Sequence, residues 1–508
     1  MSNNVFMNGL QSSTNYTRTT NGALTHKTSG SDVLDMFAQG GAYRKRSDDD
    51  CILLFKNAYA DNPKYALKCL FYLRDIRGGQ GERRFFRICY RWLINNDKKA
   101  AKRNLNYISE YGRWDDLLHV TDGTSLWEDA MAIVHEQLMA DMASCVHSDK
   151  TGISLLAKWM PSENTSSKET KILANKVRES LKVNHRQYRK TLSVLRERLN
   201  VLERLMSAGR WDEIEFDKIP SKAGLKYRNA FARRDMIAQK YEKFAKDKDT
   251  KVNAAALYPV DVAHQCFNYG YYHKPDATQR AMIDKYWENL PDFYHGREER
   301  GIAVVDVSGS MNGEPMEAAV SLGAYVAERG KGPFQNHYIT FSGTPKLVKF
   351  EGVDIYDKFT RARSADWGMN TNVEAVLDLL LNTAIKHHCP KSDMPTRIYI
   401  FSDMEFDECV STNNRRSGYG WGRKNEILSA LDTLFEIAKK KWASYGYELP
   451  SVVFWNLRSA HKNIPAIGPG FSYVSGYSPS ILESILSGKD GIDLMLEVLD
   501  SERYKPIG

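Results

Sequence analysis

The sequence lacks the patterns that mark membrane and secreted proteins. No apolar run approaches the roughly 20 residues that a membrane-spanning helix needs, and the first residues, Met1–Phe6, lack the charged and apolar regions of a secretory signal. The seven cysteines are scattered and form no C-x-x-C pair, a usage typical of reduced thiols rather than of a disulfide framework or a zinc knuckle. We therefore expect a cytoplasmic protein with no membrane association and no disulfide-linked partner.

Motifs of nucleotide binding are also missing. The glycine-rich segment Arg77–Arg83 lacks the Gly-Lys-Ser/Thr of a Walker loop and the spacing of a dinucleotide-binding loop. Its backbone amides could cradle a phosphate, but a turn between two helices is the preferred interpretation. His387, His388 and Cys389 stand near Asp393, yet they follow a helical pattern and precede a proline, so a helix end is favoured over a metal site there.

Charge is unevenly distributed along the chain. Lys and Arg outnumber Asp and Glu by 71 to 63, which gives a formal net charge of +8. Residues 171–250 alone contain 21 basic and 11 acidic residues, an excess of ten, so the rest of the chain carries −2. Such a region can neutralise phosphates, although most charge runs are the solvated face of an amphipathic helix.

Composition and periodicity divide the chain into three parts. Residues 1–30 are rich in Asn, Ser, Thr and Gly, and we predict a disordered tail there. Residues 31–298 place apolar side chains at helical spacing, and Gly112–Leu117 recurs in weaker form as Gly209–Ile214, which favours an all-α module of helical repeats. Residues 299–508 alternate strand and helix patterns, which predicts an α/β doubly wound domain with a largely parallel sheet.

Six segments of this last part have the apolar character of strands. They are Ile302–Val307, His337–Phe341, Lys346–Phe350, Arg397–Phe401, Val452–Leu457 and Phe471–Val474. Helical patterns between them cover Glu314–Arg329, Val373–Lys386 and Asn425–Tyr445.

Hydroxyl and carboxylate side chains follow two of these strands and precede one helix. Asp306, Ser308 and Ser310 follow the first strand, Asp403 follows the fourth, and Thr371 stands just before Val373. Because the carboxyl ends of neighbouring strands meet at one edge of an open α/β sheet, the two aspartates can converge although 97 residues separate them. Such oxygen ligands suit Mg²⁺ or Mn²⁺. The D-x-S-x-S segment alone is equally typical of a helix N-cap, but the three segments together favour a metal site.

The order D-x-S-x-S, then Thr, then Ser-Asp resembles the metal-ion-dependent adhesion site of von Willebrand factor A domains. The resemblance implies that the two serines and the threonine contact the metal, while the two aspartates hold it directly or through water. It also implies capture of an acidic group of a protein partner. Many of these domains have glycine after the second aspartate, whereas this chain has Met404 and Glu405, so a different shape of that loop is expected.

The helical part resembles the TROVE module of the Ro ribonucleoprotein, which some relatives join to a von Willebrand A domain. The matching segments are Asp75–Arg83, Tyr111–Trp114, Trp211–Lys222 and Pro259–Val262. The resemblance implies a ring of helical repeats that binds single-stranded RNA ends and structured RNA. The cations compatible with this lie in one predicted helix and after a Pro-Ser turn, and they are Lys176, Arg178, Lys182, Arg186, Arg189, Lys190, Lys222, Lys226 and Arg228. His185 and Tyr188 lie among them and could stack on unpaired bases.

Three classes of function are compatible with these features. The favoured hypothesis is a non-enzymatic RNA-binding scaffold with a magnesium-dependent ligand-binding site in its C-terminal domain. The alternative is a metal-dependent protein adaptor, for example for a ring ATPase, that does not bind RNA. A metal-dependent hydrolase is disfavoured because two-metal chemistry requires more clustered carboxylates and Ser308 stands where a D-x-D pair has its second aspartate. Glu405 and Asp407 lie close to Asp403 in the sequence and keep this class open.

Overall fold

The chain divides into two compact units, each drawn from distant parts of the sequence. The computed structural model describes residues 15–146, 152–267, 274–341, 345–364, 372–407, 433–461 and 463–508. The sheet unit comprises the residues up to Cys69 together with Tyr258–Pro275 and Leu290–Arg503. The helical unit comprises Leu70–Leu257, Asp276–Asn289 and Tyr504–Gly508. The units therefore do not follow the predicted division at residue 298.

The described secondary structure consists of short strands and many helices. The strands are β1 Tyr16–Arg18, β2 Leu24–His26, β3 Gly301–Asp306, β4 His337–Phe341, β5 Lys346–Lys349, β6 Arg397–Ser402, β7 Ser451–Asn456 and β8 Phe471–Ser475. The helices are α1 Asp32–Gln39, α2 Asp48–Asp61, α3 Pro63–Arg74, α4 Arg83–Asn96, α5 Lys98–Asn104, α6 Ile108–Tyr111, α7 Trp114–Thr121, α8 Trp127–Val146, α9 Leu156–Trp159, α10 Lys168–Ser180, α11 His185–Arg198, α12 Leu202–Ser207, α13 Ser221–Arg233, α14 Asp235–Lys246, α15 Pro259–Phe267, α16 Ala277–Glu288, α17 Glu314–Arg329, α18 Ile355–Ser364, α19 Val373–Lys386, α20 Leu434–Ser444, α21 Leu482–Ile485 and α22 Gly491–Leu499.

A six-stranded sheet in the order β5-β4-β3-β6-β7-β8 forms the centre of the sheet unit. Every neighbouring pair is parallel except β4 and β5, which are antiparallel. All six predicted strands are present, each within one residue of its predicted bounds, so the predicted α/β doubly wound class is confirmed. Later strands are added outward on both sides of the β3–β6 pair, which makes the gap between these two strands the switch point of the sheet.

Helices lie close against this sheet because small residues face it. A Cβ atom at Gly323 of α17 would lie 2.3 Å from the Cγ2 of Val305 on β3, so only glycine allows this approach. At the other end of the sheet, α1 packs on β8. The Ser475 hydroxyl donates to the Phe37 carbonyl at 2.8 Å and accepts from the Gly41 amide at 2.9 Å. These contacts explain why α1, which the helical pattern assigned to the N-terminal module, belongs to the sheet unit.

Part of the predicted disordered tail is an ordered hairpin. β1 and β2 pair in antiparallel fashion, and His26 exchanges backbone hydrogen bonds with Ile464. The Thr25 hydroxyl donates to the Ile464 carbonyl at 2.8 Å, and Thr25 is buried. The prediction of a tail through residue 30 is therefore wrong for residues 15–30, because their polar side chains are satisfied by backbone groups far along the chain. Its remainder, residues 1–14, lies outside the described residues.

The described residues of the helical unit contain helices and no strand, as predicted. Its core includes a buried ion cluster. The carboxylate of Asp116, which is 0% exposed, accepts from the Arg74 guanidinium at 2.6 and 2.9 Å and from Arg87 at 2.7 Å. Trp114 and Trp211, the tryptophans of the two similar segments Gly112–Leu117 and Gly209–Ile214, are both buried. Residues 171–206 fall in three separate helices, α10, α11 and α12.

Within the described ranges, no helix is long and apolar enough to cross a membrane. No disulfide bond joins the six cysteines that lie in these ranges, and Cys409 falls outside them.

Candidate metal centre and nucleic-acid interface

Asp306 and the two serines stand at the carboxyl end of β3, at the switch point of the sheet. Asp306 is 0% exposed, and its Oδ1 accepts the Ser308 amide at 2.9 Å. This bond closes a tight turn that brings the hydroxyls of Ser308 and Ser310 to 3.0 Å from each other. Ser308 is buried and Ser310 is exposed, so the hydroxyl pair runs from the interior to the surface.

Asp403 follows the neighbouring strand β6 and is nearly as buried, at 2% exposure. Its Oδ1 accepts the Glu405 amide at 3.1 Å, whereas its Oδ2 is buried and makes no hydrogen bond to any described residue. Between the two aspartates lies Ser402, whose hydroxyl donates to the Oδ2 of Asp306 at 2.5 Å and accepts the Met404 amide at 3.0 Å. The structure therefore brings the predicted residues Asp306, Ser308, Ser310 and Asp403 together at one edge of the sheet.

The electrostatics of the two aspartates oppose their ionisation. Burial, followed by the charge of Asp403, raises the pKa of Asp306 to about 7, although the bonds from Ser402 and Ser308 act in the other direction. Burial also raises the pKa of Asp403, while the nearby Ser310 hydroxyl and the Glu405 amide lower it. Desolvated carboxylates that face each other favour a proton or a cation between them.

The residues present are of the kind that Mg²⁺ and Mn²⁺ bind. Two carboxylates, one with a buried oxygen that no described residue hydrogen-bonds, and two hydroxyls form a set of hard oxygen donors. No group of three or more His, Cys, Asp or Glu side chains is close enough to hold a metal in the part of the chain that the structure describes, so a cation here would depend on the serine hydroxyls. Thr371, the fifth predicted ligand, lies outside the described residues.

The loop after Asp403 has the backbone shape that glycine adopts easily, although it contains none. Met404 has φ +64°, in the left-handed region that favours glycine. Its neighbour Glu405 is 3% exposed and accepts the Thr20 amide at 2.6 Å and the Asn463 side-chain amide at 3.2 Å. Asn21 of the hairpin donates to the Glu405 carbonyl at 2.7 Å. Hydrogen bonds from the N-terminal hairpin therefore stabilise this loop in a backbone conformation that glycine would adopt easily.

The nine cations predicted to bind RNA lie in the helical unit, but they differ in exposure. Arg178 is largely buried, and its guanidinium is 3.1 Å from the Glu163 carboxylate. Lys176 is exposed and lies 2.7 Å from Asp122. Arg228 is half-buried and donates to the Leu225 carbonyl at 2.7 Å. The other six predicted cations are exposed, and they are Lys182, Arg186, Arg189, Lys190, Lys222 and Lys226.

Three details of the predicted RNA interface need correction. The cations around residue 180 belong to two helices, α10 and α11, because Lys182 adopts φ +54° in the turn between them. Tyr188 cannot stack on bases, since it is 2% exposed and its hydroxyl donates to the Pro161 carbonyl at 2.8 Å. His185 is exposed, but its ring nitrogen is 2.7 Å from the Glu163 carboxylate.

The glycine-rich segment Arg77–Arg83 forms the predicted turn between helices, here α3 and α4. The amides of Gln80, Gly81 and Glu82 donate to the carbonyls of Tyr72, Asp75 and Leu73 respectively. These amides are engaged within the fold, which argues against the phosphate-cradle interpretation.

Three residues outside the predicted ligand set contribute to the candidate metal centre. Ser402 links the two strands, Glu405 fixes the loop, and Arg458 donates from its guanidinium to the Ser310 carbonyl. A polar residue at the end of a buried strand was the available signal for Ser402. Arg458 follows β7 at the same edge of the sheet, but no local pattern indicated its contact.

Family comparisons match almost the whole chain. The family model of a domain of unknown function, DUF2828, matches residues 19–135 and 121–292, and that of another, DUF7788, matches residues 300–504. The chain is 31% identical to the uncharacterized protein L728 of Acanthamoeba polyphaga mimivirus over 534 residues, which cover 97% of this chain and 89% of that protein. A solved structure, the Ro (RSR) protein of Deinococcus radiodurans, aligns with 14% identity and a TM-score of 0.38 over 92% of this chain and 93% of that chain.

Proposed function

The chain belongs to the DUF2828 family, and we propose that it is a non-enzymatic binding scaffold with a divalent-cation site, for Mg²⁺ or Mn²⁺, that captures an acidic group of a protein partner. The observation that carries the proposal is the pair of buried aspartates, Asp306 and Asp403, at the switch point of the sheet. Ligands of open α/β sheets bind at this position. The resemblance of the segment order to a metal-ion-dependent adhesion site agrees with it.

The roles of the protein side chains follow from their placement. The Oδ2 of Asp403 makes no hydrogen bond within the described part of the chain and is available to a cation or to its bound water. Ser308 and Ser310 would hold the ion with neutral oxygens, so that it keeps positive charge for a carboxylate offered from outside. The exposure of Ser310 leaves this side of the centre accessible to that group.

A hydrolytic function is less well supported. Two-metal chemistry requires additional carboxylates at the centre. Glu405, a candidate for this role, already accepts the Thr20 amide and the Asn463 side-chain amide. We therefore retain the non-enzymatic interpretation, and turnover of a phosphoester by the purified protein that is lost in Asp403→Ala would contradict it.

Calorimetric titration with Mg²⁺ and Mn²⁺ tests the metal site. Ser308→Ala and Ser310→Ala each remove one oxygen donor, and we expect each to weaken metal binding by roughly tenfold or more, since even residues outside the first coordination shell contribute that much. Ser444→Ala is the matched control, because the Ser444 hydroxyl donates to the Lys441 carbonyl on an exposed helix end. Equal metal affinity in all three variants would contradict the proposal.

A second candidate function is RNA binding by the helical unit. The observation that favours it is the exposure of Arg186, Arg189 and Lys190, whose spacing of three and four residues places them on one face of α11. The TROVE resemblance of the sequence points to the same function. Such a face would bind phosphates with an affinity that falls as salt rises.

Filter binding at low salt with single-stranded and hairpin RNA tests this candidate. Arg186→Gln combined with Lys190→Gln should weaken binding and reduce its salt dependence. The control is Lys349→Gln, an exposed lysine on β5 of the sheet unit that lies 2.6 Å from Glu351. If the unmodified protein binds neither RNA, this second candidate function is wrong, and an adaptor that does not bind RNA remains.

A further inference from the structure

A basic cavity opens at the same edge of the sheet as the candidate metal centre. Its volume is about 200 Å³. Four segments line it: the turn after α1, the start of α17, the residues that follow β7, and Tyr477 just after β8. Two of these segments directly follow strands at their carboxyl ends, so the fold itself places the cavity beside the centre.

The charge of the cavity lining is strongly positive. Arg44, Lys45, Arg46 and Arg458 line it, and Glu314 is the one acidic residue among the described residues of the lining. Four cations and one anion give the lining a formal charge of +3. An excess of this size in a concave site attracts anions because the surrounding protein focuses the field.

Aromatic stacking and backbone contacts hold the arginines in place. The Arg44 guanidinium lies over the Tyr477 ring, 3.4 Å from its centroid, and Tyr477 is buried. Arg46 donates to the Ala460 carbonyl and is 3.1 Å from the Asp50 carboxylate. Its Nε is buried and makes no hydrogen bond to any described residue. Because a guanidinium carries five donors in a fixed plane, such positioned arginines suit a carboxylate or another oxyanion.

Arg458 connects the cavity to the candidate metal centre. It lines the cavity, and its guanidinium donates to the backbone carbonyl of Ser310. The two sites are therefore within reach of a single arginine side chain. In an extended peptide, side chains on one face recur every second residue, about 7 Å apart, so a segment with acids at alternate positions presents two carboxylates on one face.

We propose that this cavity binds a second carboxylate of the same acidic protein segment whose first carboxylate binds at the metal centre. The inference rests on the proposed function for the first contact, while the cavity itself is built independently of the metal residues. The ligand is accordingly a segment of the form acid-x-acid. A phosphate group has related chemistry, and the experiment includes it as a separate arm.

Fluorescence anisotropy with labelled peptides tests the proposal. The probes are an Asp-Ser-Asp peptide, an Asp-Ser-Asn peptide of the same length, and inorganic phosphate as a competitor. In Mg²⁺ the two-acid peptide should bind about ten- to hundredfold tighter than the one-acid peptide, which is the range for hydrogen bonds to charged groups. Arg44→Gln combined with Arg46→Gln should remove this difference while leaving the one-acid peptide's affinity unchanged.

Two further arms separate the possible failures. Lys45→Gln, at an exposed position, should reduce the preference without affecting folding, and Lys349→Gln is the charge-matched control. If the one-acid peptide requires Mg²⁺ but the second acid adds nothing, the cavity proposal is wrong and the metal proposal stands. If neither peptide responds to Mg²⁺ but the two-acid peptide still binds through Arg44 and Arg46, the metal proposal is wrong and carboxylate binding by the cavity stands. Stronger competition by phosphate than by the two-acid peptide would overturn the assignment to a carboxylate.

Discussion

Replacing Asp306 by asparagine should stabilise the metal-free protein. The aspartate is 0% exposed, and burial together with the charge of Asp403 raises its pKa from 3.8 to about 7. Between about pH 4 and pH 7 the native state retains a proton that the unfolded state releases, so this group makes the protein less stable as the pH rises through that window. Above about pH 7, ionised Asp306 destabilises the native state by at most about 4 kcal/mol, because each unit of pKa difference corresponds to 1.36 kcal/mol.

Asp306→Asn removes this charge but disturbs one hydrogen bond. The asparagine oxygen can still accept the Ser308 amide, whereas its NH₂ group faces the Ser402 hydroxyl that now donates to Asp306. Because the Ser402 hydroxyl loses its acceptor, the stabilisation gained by removing the charge is reduced by roughly 1 kcal/mol. We therefore expect the free energy of unfolding in EDTA at about pH 8 to rise by about 1 to 3 kcal/mol.

Urea unfolding with and without Mg²⁺ measures both parts of this prediction. Mg²⁺ should stabilise the unmodified protein and have little effect on Asp306→Asn, because the variant lacks one of the two carboxylates. Asp378→Asn is the control, since Asp378 forms a partly exposed ion pair with Lys441 at 2.6 Å, and such pairs contribute about 0 to 1 kcal/mol. A destabilisation of Asp306→Asn by more than about 1 kcal/mol in EDTA, or an undiminished effect of Mg²⁺, would refute the reasoning.

Four other measurements test the structure. Stabilisation by Mg²⁺ should be smaller at about pH 6 than at about pH 8, because below the raised pKa of the paired aspartates the ion must displace a proton; an unchanged effect across this range would contradict the assignment. Glu405→Ala removes the acceptor of the Thr20 amide and should lower the free energy of unfolding by about 1 to 3 kcal/mol, measured by urea unfolding. Asp116→Ala leaves the buried Arg74 guanidinium without its carboxylate and should lower the free energy of unfolding by about 3 to 5 kcal/mol, measured by urea unfolding. Tyr188→Phe should leave the affinity for RNA unaltered in the filter-binding assay, because the Tyr188 ring is buried.

The strands and the convergence of the two aspartates could be predicted because both depend on local patterns. Apolar runs mark β3 and β6, and the topology of a doubly wound sheet then brings their carboxyl ends to one edge. The details around them could not be predicted. The bond between Thr20 and Glu405 spans 385 positions, and no periodicity of either segment encodes such a contact. For the same reason, the polar composition of residues 15–30 indicated disorder, although distant backbone groups satisfy those side chains.

The helical unit illustrates a second limit of sequence patterns. Spacing on a helix predicts which cations share a face, but it does not predict which acidic groups lie opposite that face. Glu163 lies outside the pattern, yet its carboxylate approaches both Arg178 and His185. Arg178 is therefore largely enclosed, whereas Arg186, one helix later, is exposed. Charge counts along the chain thus overestimate the surface available for phosphates.

The arrangement at the sheet edge is difficult to explain as a helix cap alone. A cap requires one oxygen that accepts amides at the start of a helix, and it gives no reason to bury a second carboxylate beside the first. Asp403 is buried with one oxygen that makes no hydrogen bond to any described residue, burial raises the pKa of both acids, and the charge of Asp403 adds to the shift at Asp306. Buried charge of this kind destabilises a fold unless a cation or proton compensates it. The neighbouring arginines compensate this charge only in part, because the pKa-lowering effect of Arg458 on Asp403 is smaller than the opposing effect of burial, and Arg44 stacks on Tyr477. The proposed divalent ion at the aspartates, with a basic cavity beside it for the charge of the ligand, would account for both the acidic pair and the adjacent cations.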